Sequence, residues 1–453
     1  LNRVIAKAWQ GSAPAQMNVP RDMWTQVIDI ELPQIINIKH PRGDLDTIKE
    51  AAKLLSEAKF PVIVNGVGTI LAGGVDASRQ LAERLDAPVC CNYQHNDAFP
   101  GSHPLSAGPL GYNGSKAAME LCNKADVVLA LGNRLNPYSS MPGYQYDYWP
   151  KDAKIIQVDI NSHRLGLVKP ITVGIHGDAK LVAEQLLEHL SDTAGDEGRQ
   201  ERKDLISTTK SKWQQELTSM DHELDDDGIT WNQRARDRQP DHMAPRQAWK
   251  AIMAAMPKNA IVSTDIGNAC AIGNAYPTFE EPRTYLAPGM FGPCGYSLPA
   301  ILGAKIGRPD LPCVGFAGDG AFGISMNELT ACGRNDWKAI TMVVFRNYQW
   351  GAEKRNTTLW FEDNFVGTEL NVGVDYAKVA EGCGLKGIQV RTPDELTAAL
   401  ETAIKEQMDD NVTTLIEVVL NQELGEPFRR DAMKPPVEVA GIDINDMRPQ
   451  NPA

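Results

Sequence analysis

The sequence predicts an α/β protein built from parallel-sheet domains of three layers, each sheet covered by helices on both faces. Three observations predict it. Near-continuous apolar runs of strand length recur along the chain, as at 61–65, 126–131 and 340–345. Stretches with helical spacing of apolar residues separate them. The runs end at residues that suit a turn into a helix, such as Gly66, Gly132, Asp159 and Gly318. Strands buried on both faces read as unbroken apolar runs, and helices between them make neighbouring strands parallel.

The bulk properties agree. At roughly 100–200 residues per domain, 453 residues predict two to four domains. A 42 % hydrophobic fraction suffices for sizeable cores. The formal charge of −13 argues against a nucleic-acid partner, which needs a basic surface. No apolar run reaches the roughly 18–20 residues of a membrane span, and the opening LNRVIAKAWQ lacks the apolar block of a signal peptide. The eight cysteines, at 90, 91, 122, 270, 294, 313, 332 and 383, show no CxxC spacing. They read as reduced thiols of a cytoplasmic protein.

Element by element, Leu1, Val4, Ile5, Ala8 and Trp9 have helical spacing with no capping residue before them. A short extended run at 15–19 and Pro20-Arg-Asp22 follow. Residues 1–24 are thus expected to end a domain whose body lies outside the chain. Residues 25–190 carry strands at 61–65, 126–131 and 154–158, with helices over 46–58 and 76–85. Residues 191–245 (GDEGRQERKD, DHELDDDG) read as a charged linker with exposed helices. A second block, 246–425, has strands at 260–263, 312–317, 340–345 and 414–419. A proline-punctuated tail, 426–453, completes the chain.

The most informative stretch is Gly318-Asp319-Gly320, which ends a strand and opens a helical pattern over 322–333. After Gly320 come 26 residues, including another strand, and then Asn347. Asp319 and Asn347 therefore fall at the C-terminal ends of parallel strands, where open α/β sheets hold their ligands. A small hard cation such as Mg²⁺ takes about six oxygens, few of them carboxylates, and shares phosphate oxygens with a substrate. Asp319 supplies charge, Asn347 an amide oxygen, and the backbone carbonyl of Gln349 a third ligand. Gly318 and Gly320 allow the backbone to approach a phosphate, and the helix behind them offers free N–H groups.

This spacing resembles the magnesium–diphosphate signature of the thiamine diphosphate-dependent enzymes. Pro20-Arg-Asp22, Ala130-Leu-Gly-Asn-Arg134, Gln157-Val-Asp159, Ser263-Thr-Asp-Ile-Gly267 and FGPCGYSLPA (291–300) resemble that family's segments in order. NYQHNDAFPGSHPL, FRNYQWGAEKRNTTLWFEDNFVGTEL and NQELGEPFRRDAMKPP are similar to its sulfoacetaldehyde acetyltransferase branch over nearly the whole chain.

The resemblance implies residues 1–24 as the end of a pyrimidine-binding domain, 25–190 as a Rossmann-like middle domain and 246–425 as the thiamine diphosphate and Mg²⁺ domain. It places Mg²⁺ on Asp319, Asn347 and the Gln349 carbonyl. It places the cofactor near Gly267, Asn268, Gly292, Cys294, Gly318, Gly320, Ala321, Phe322 and Gly351. Cys294 stands where many relatives have a bulky Met or Leu, and a packing thiol is an equal reading. Arg346 stands where many have a first Asn. The activating glutamate is expected outside this chain, which alone should have little activity.

The implied reaction, part of sulfonate metabolism, converts sulfoacetaldehyde and phosphate to sulfite and acetyl phosphate through an acetyl group carried on the cofactor. Both substrates are anions, and Tyr348, Lys354, Arg355, Arg429 and Arg430 are the candidates to bind them, against the alternative of a solvated basic face. A homodimer or homotetramer is implied, because the family builds its site between subunits. His95 and His103 read as structural histidines. The turn Asn65-Gly-Val-Gly-Thr69 lacks a full dinucleotide fingerprint and reads as a plain strand–helix turn. An acetolactate synthase-like enzyme, a 2-oxoacid decarboxylase, or a binding module without chemistry remain as alternatives.

Overall fold

The computed structural model describes residues 1–11, 13–31, 38–141, 147–219, 241–289, 291–334, 337–360 and 364–423, without the side chains of 219, 355, 356 and 358–360. Two six-stranded parallel sheets organise the chain. The first comprises β1 (Pro61–Asn65), β2 (Val89–Cys91), β3 (Ser106–Pro109), β4 (Val127–Leu131), β5 (Lys154–Asp159) and β6 (Val173–His176). The second comprises β7 (Ile261–Thr264), β8 (Tyr285–Leu286), β9 (Cys313–Gly318), β10 (Thr341–Arg346), β11 (Lys386–Val390) and β12 (Thr414–Val419). Contacts divide the chain into two compact units. One is Leu1–Ala87 with Ala125–Asn136 and Asp152–Arg202, the other Pro88–Lys124 with Pro137–Lys151 and Lys203–Ala453.

In the first unit β4 lies between β1 and β5, with β6 beyond. Every residue of β1 and β4 is buried, as their unbroken apolar runs require. The helices Leu45–Ser56 and Ala179–His189 start at Asp44 and Asp178, whose carboxylates accept from Thr47 and from Lys180 and Leu181. The turn after β1 explains its own glycines. A Cβ on Gly66 would sit 2.3 Å from the Gly132 carbonyl oxygen, and one on Gly68 2.7 Å from the Gly132 Cα. Two backbones touch there, so the plain-turn reading of 65–69 has a packing cause. Arg202 fastens the start of the helix Arg199–Ser219: its guanidinium donates to the carbonyls of Lys59, Leu85, Asp86, Gly195 and Glu197.

In the second unit β2 and β3 pair in parallel, and the second sheet runs β11-β12-β10-β9-β7-β8. Alternate residues of its strands enter opposite cores. Val343 and Phe345 join Trp249, Ile252, Leu396 and Leu400 under the helices Pro245–Ala255 and Pro393–Asp409. Met342 and Val344 join Leu298, Ile301 and Tyr376 under Ser297–Gly307 and Tyr376–Gly382. This is the expected three-layer packing. Sheet order reverses between β7 and β9, and such a reversal opens a crevice at the C-terminal strand ends.

All seven predicted strands form, within a residue or so at their ends. Five more, β2, β3, β6, β8 and β11, were not predicted. Residues 15–19 form no strand, and a 3₁₀ turn spans Arg21–Thr25. Part of the predicted linker is packed rather than free: Trp213 and Leu217 are buried against Ala117, Ala275 and Tyr276. The predicted tail lies outside the described residues. Among those described, no helix is long and apolar enough to cross a membrane.

Candidate active site

β9 and β10 run side by side in register, Phe345 opposite Gly318, so the residues following them meet at one edge. Asp319 opens a seven-residue helix and is buried. One of its oxygens, Oδ2, accepts the Tyr348 N–H at 2.7 Å, and the other, Oδ1, accepts the Gly320 N–H at 3.0 Å. Burial pushes its carboxyl up to about 7, against the pull of these donors.

The Asn347 amide completes the group. One of its terminal atoms stands 3.0 Å from the Gln349 carbonyl oxygen and 3.2 Å from Asp319 Oδ1. Placed there, the nitrogen donates to both. Placed there, the oxygen makes a cluster of three oxygens with no proton between them, which needs a cation. Octahedral Mg²⁺ at about 2.0–2.1 Å sets adjacent ligands about 2.9 Å apart, close to the observed spacing. The donor set therefore fits Mg²⁺. Among the described residues no three His, Cys, Asp or Glu side chains converge on a metal position, so amide and carbonyl oxygens matter here.

Some of the cofactor candidates lie beside this cluster. A Cβ on Gly318 would meet nothing within 4 Å, whereas one on Gly320 would meet the Trp350 ring at 3.0 Å. A Cβ on Gly351 would lie 3.2 Å from Asn268 Cβ and 3.6 Å from Asn347 Nδ2, which ties three candidates together. Gly267 and Gly292 have φ of +127° and +60°. Ala321 is buried, and the Phe322 side chain belongs to the core, edge-on to Tyr376 at 5.6 Å, leaving only its backbone for a ligand. Cys294 is half-buried, its thiol pushed up by burial and by Asp265.

Asp265, at the end of β7, was not nominated from sequence. Its carboxylate accepts from Ile266, Gly295 and Ser297 N–H at 2.9, 3.1 and 2.8 Å and fastens the loop that carries Gly292 and Cys294. Its place in the STDIG run was the available signal.

A cleft of about 580 Å³ opens beside Gly267 and Gly292. Tyr93, Tyr112, Tyr138 and Met141 form one wall, and Ile266, Phe291, Ala352 and Glu353 line the rest. The tyrosine rings pack on one another, centroids 5.7–6.2 Å apart. Sequence reasoning missed this wall, because its members come from separate segments.

The predicted substrate residues do not gather there. The Tyr348 ring lies under the Arg346 guanidinium, 4.7 Å away, and beside His242. Lys354 is 1 % exposed and paired with Glu369. The Arg355 side chain and residues Arg429 and Arg430 lie outside the described residues. His103 accepts the Leu105 N–H and packs on Phe99, a structural role. His95 precedes the 3₁₀ turn Asn96–Ala98 and is half-buried.

Comparison with known proteins fits this geometry. Residues 48–186 match the central domain of thiamine pyrophosphate enzymes and 265–418 their C-terminal TPP binding domain. A sulfoacetaldehyde acetyltransferase of Roseovarius nubinhibens is 70 % identical over 99 % of this chain and 74 % of that protein. The chain belongs to the sulfoacetaldehyde acetyltransferase family. A probable sulfoacetaldehyde acetyltransferase of Rhizobium meliloti is 69 % identical over 99 % of the chain and 76 % of that protein. An acetolactate synthase large subunit of Corynebacterium glutamicum is more distant, 29 % identical over 96 % of the chain and 66 % of that protein. With family membership goes the reaction class, thiamine diphosphate-dependent acetyl transfer. The stretch matching the TPP binding domain contains every cofactor and metal candidate from Gly267 to Gly351.

Proposed function

We propose that the enzyme converts sulfoacetaldehyde and phosphate to acetyl phosphate and sulfite, with thiamine diphosphate and Mg²⁺. The observation that carries the metal–diphosphate part is the convergence of Asp319 Oδ1, the Asn347 amide and the Gln349 carbonyl. The substrate follows from 70 % identity to a protein of that name, against 29 % for an acetolactate synthase. The reaction balances without an external oxidant: a C–S bond breaks, the aldehyde carbon becomes the acyl carbon, and phosphate oxygen forms the new bond.

Thiamine diphosphate supplies a nucleophilic carbon and a sink for negative charge. The chain's own residues do the positioning. Asp319, Asn347 and the Gln349 carbonyl hold Mg²⁺, Gly267 and Gly318 leave room for the diphosphate, and Asn268, Gly320 and Gly351 lie beside it. Ala321 and Phe322 offer backbone, and Gly292 and Cys294 flank the aromatic part. The tyrosine-walled cleft receives the two-carbon aldehyde and keeps water from the reacting carbon. We also infer a cytoplasmic homodimer or homotetramer, on family resemblance.

The test is sulfite release from sulfoacetaldehyde by the whole protein, with thiamine diphosphate and Mg²⁺, with and without phosphate. Phosphate-dependent sulfite with equal acetyl phosphate is the expected result. Carbon dioxide release from pyruvate without sulfite would discard this substrate and keep the cofactor.

A further inference from the structure

We propose that Arg346 and Tyr348 act as positioning residues for the metal–diphosphate site. The Arg346 guanidinium clamps the Tyr348 ring and thereby holds the backbone turn that presents Asn347 and Gln349 toward Asp319. The inference rests on the Mg²⁺ reading given above.

Tyr348 sits between two predicted ligands with φ of +60°. A bulky residue in the left-handed region is strained and persists only where its surroundings hold it. Here the turn is held from several sides. The Tyr348 N–H donates to Asp319 Oδ2 at 2.7 Å, and its carbonyl accepts the Leu370 N–H at 2.8 Å. Above the ring lies Arg346, itself immobilised: Nη1 donates to Glu417 at 2.5 Å and Nη2 to the Val372 carbonyl at 2.6 Å. Glu417 in turn accepts the Ala377 N–H at 3.0 Å. The guanidinium face is 4.7 Å from the ring centroid, within cation–π range. His242 stacks on the same ring, centroids 6.2 Å apart. A buried ion pair gives little stability over an apolar filling of the same space, so packing alone does not account for a charge here. A left-handed residue 348 sends its own N–H to Asp319 while the next carbonyl stays near the Asn347 amide. An extended residue there would swing that carbonyl away.

The test is Mn²⁺ affinity, by electron paramagnetic resonance, of the whole protein with thiamine diphosphate, alongside thermal unfolding by circular dichroism. Tyr348→Ala should weaken Mn²⁺ binding about tenfold, the size of a half-buried cation–π contact. Tyr348→Phe keeps the ring and should stay within about twofold. Tyr348→Gly should recover part of the loss, since glycine adopts φ > 0 without strain. Arg346→Met combined with Glu417→Gln removes the clamp without leaving a lone buried charge, and should match Tyr348→Ala. Should Tyr348→Ala bind Mn²⁺ like the wild type, the clamp is refuted. Equal loss in Tyr348→Phe also refutes it and points to the hydroxyl. No Mn²⁺ binding by the wild type refutes the metal site itself, and this proposal with it.

Discussion

At the end of β1 the chain turns through Gly66-Val-Gly68, and at the end of β9 through Gly318-Asp-Gly320. Both follow strands of near-continuous apolar residues and both open helices. In the first, the places where side chains would go are filled by backbone of residue 132, 2.3 and 2.7 Å away. In the second, the space at Gly318 is open, and a buried carboxylate follows it. The first pair lets two stretches of backbone approach; in the second, Gly320 packs on the Trp350 ring and Gly318 leaves its space open for something from outside. A Gly-x-Gly spelling alone does not distinguish them, and the residues packed around each turn do.

The largest effect that would test this contrast is at the carboxylate. Asp319→Ala should reduce Mg²⁺-dependent thiamine diphosphate binding by more than about 100-fold, beyond the usual loss when a residue that only orients a ligand is changed. Calorimetry on the whole protein reads it, and intact binding would place the metal elsewhere. Next comes Gly132→Ala in the first turn. Its Cβ would lie 2.4 Å from the Thr69 backbone nitrogen, at a φ of +56°. Overpacking and strain together should lower stability by about 2–4 kcal/mol, read by urea unfolding. A neutral result would mean that the backbone contact is not tight.

A third test separates a carboxylate that fastens a loop from one that faces ligand oxygens. Asp97 is buried, and its Oδ2 accepts from the Thr284 and Tyr285 N–H groups. Burial pushes its carboxyl up to about 6. The folded form therefore holds this proton more tightly than the unfolded chain, whose carboxyl is near the ordinary value of about 3.9. Its contribution is most favourable below pH ~4 and is lost as pH rises through ~6, by up to about 3 kcal/mol. Asp97→Asn should remove that slope, measured as the wild-type minus variant difference in unfolding free energy across pH; an unchanged slope would refute it. The smallest expected stability change is at Gly318→Ala, within about 0.5 kcal/mol. Cofactor affinity should nevertheless fall, and a variant that binds thiamine diphosphate normally would make Gly318 a simple turn residue.

Legibility followed burial. β1, β4, β5, β7, β9, β10 and β12 were readable because each is an apolar run sealed between helices. β8 is two residues long and β3 reads Ser-Ala-Gly-Pro, so neither carries a pattern. The pairing of Asp319 with Asn347 was readable from spacing, since a strand–helix–strand of known length brings its ends together. The sequence offers Tyr348 and Lys354 as binders of anions, yet the Arg346 guanidinium covers the Tyr348 ring and the buried Lys354 pairs with the exposed Glu369. Arg346 stands only two residues before Tyr348, but its place over the ring depends on the left-handed turn at Tyr348, and Glu369 meets Lys354 only through tertiary packing. The tyrosine wall was hidden for the same reason.

The two compact units have a further consequence through their chain path. The first is made of three separate segments and the second of three others, interleaved along the sequence. The polypeptide crosses between them at residues 87, 124, 136, 151 and 202. No single cut therefore separates the two: a break after residue 87 or 202 leaves one unit whole on a fragment that also carries part of the other. Trimming the chain at one point never yields the two units as independent halves.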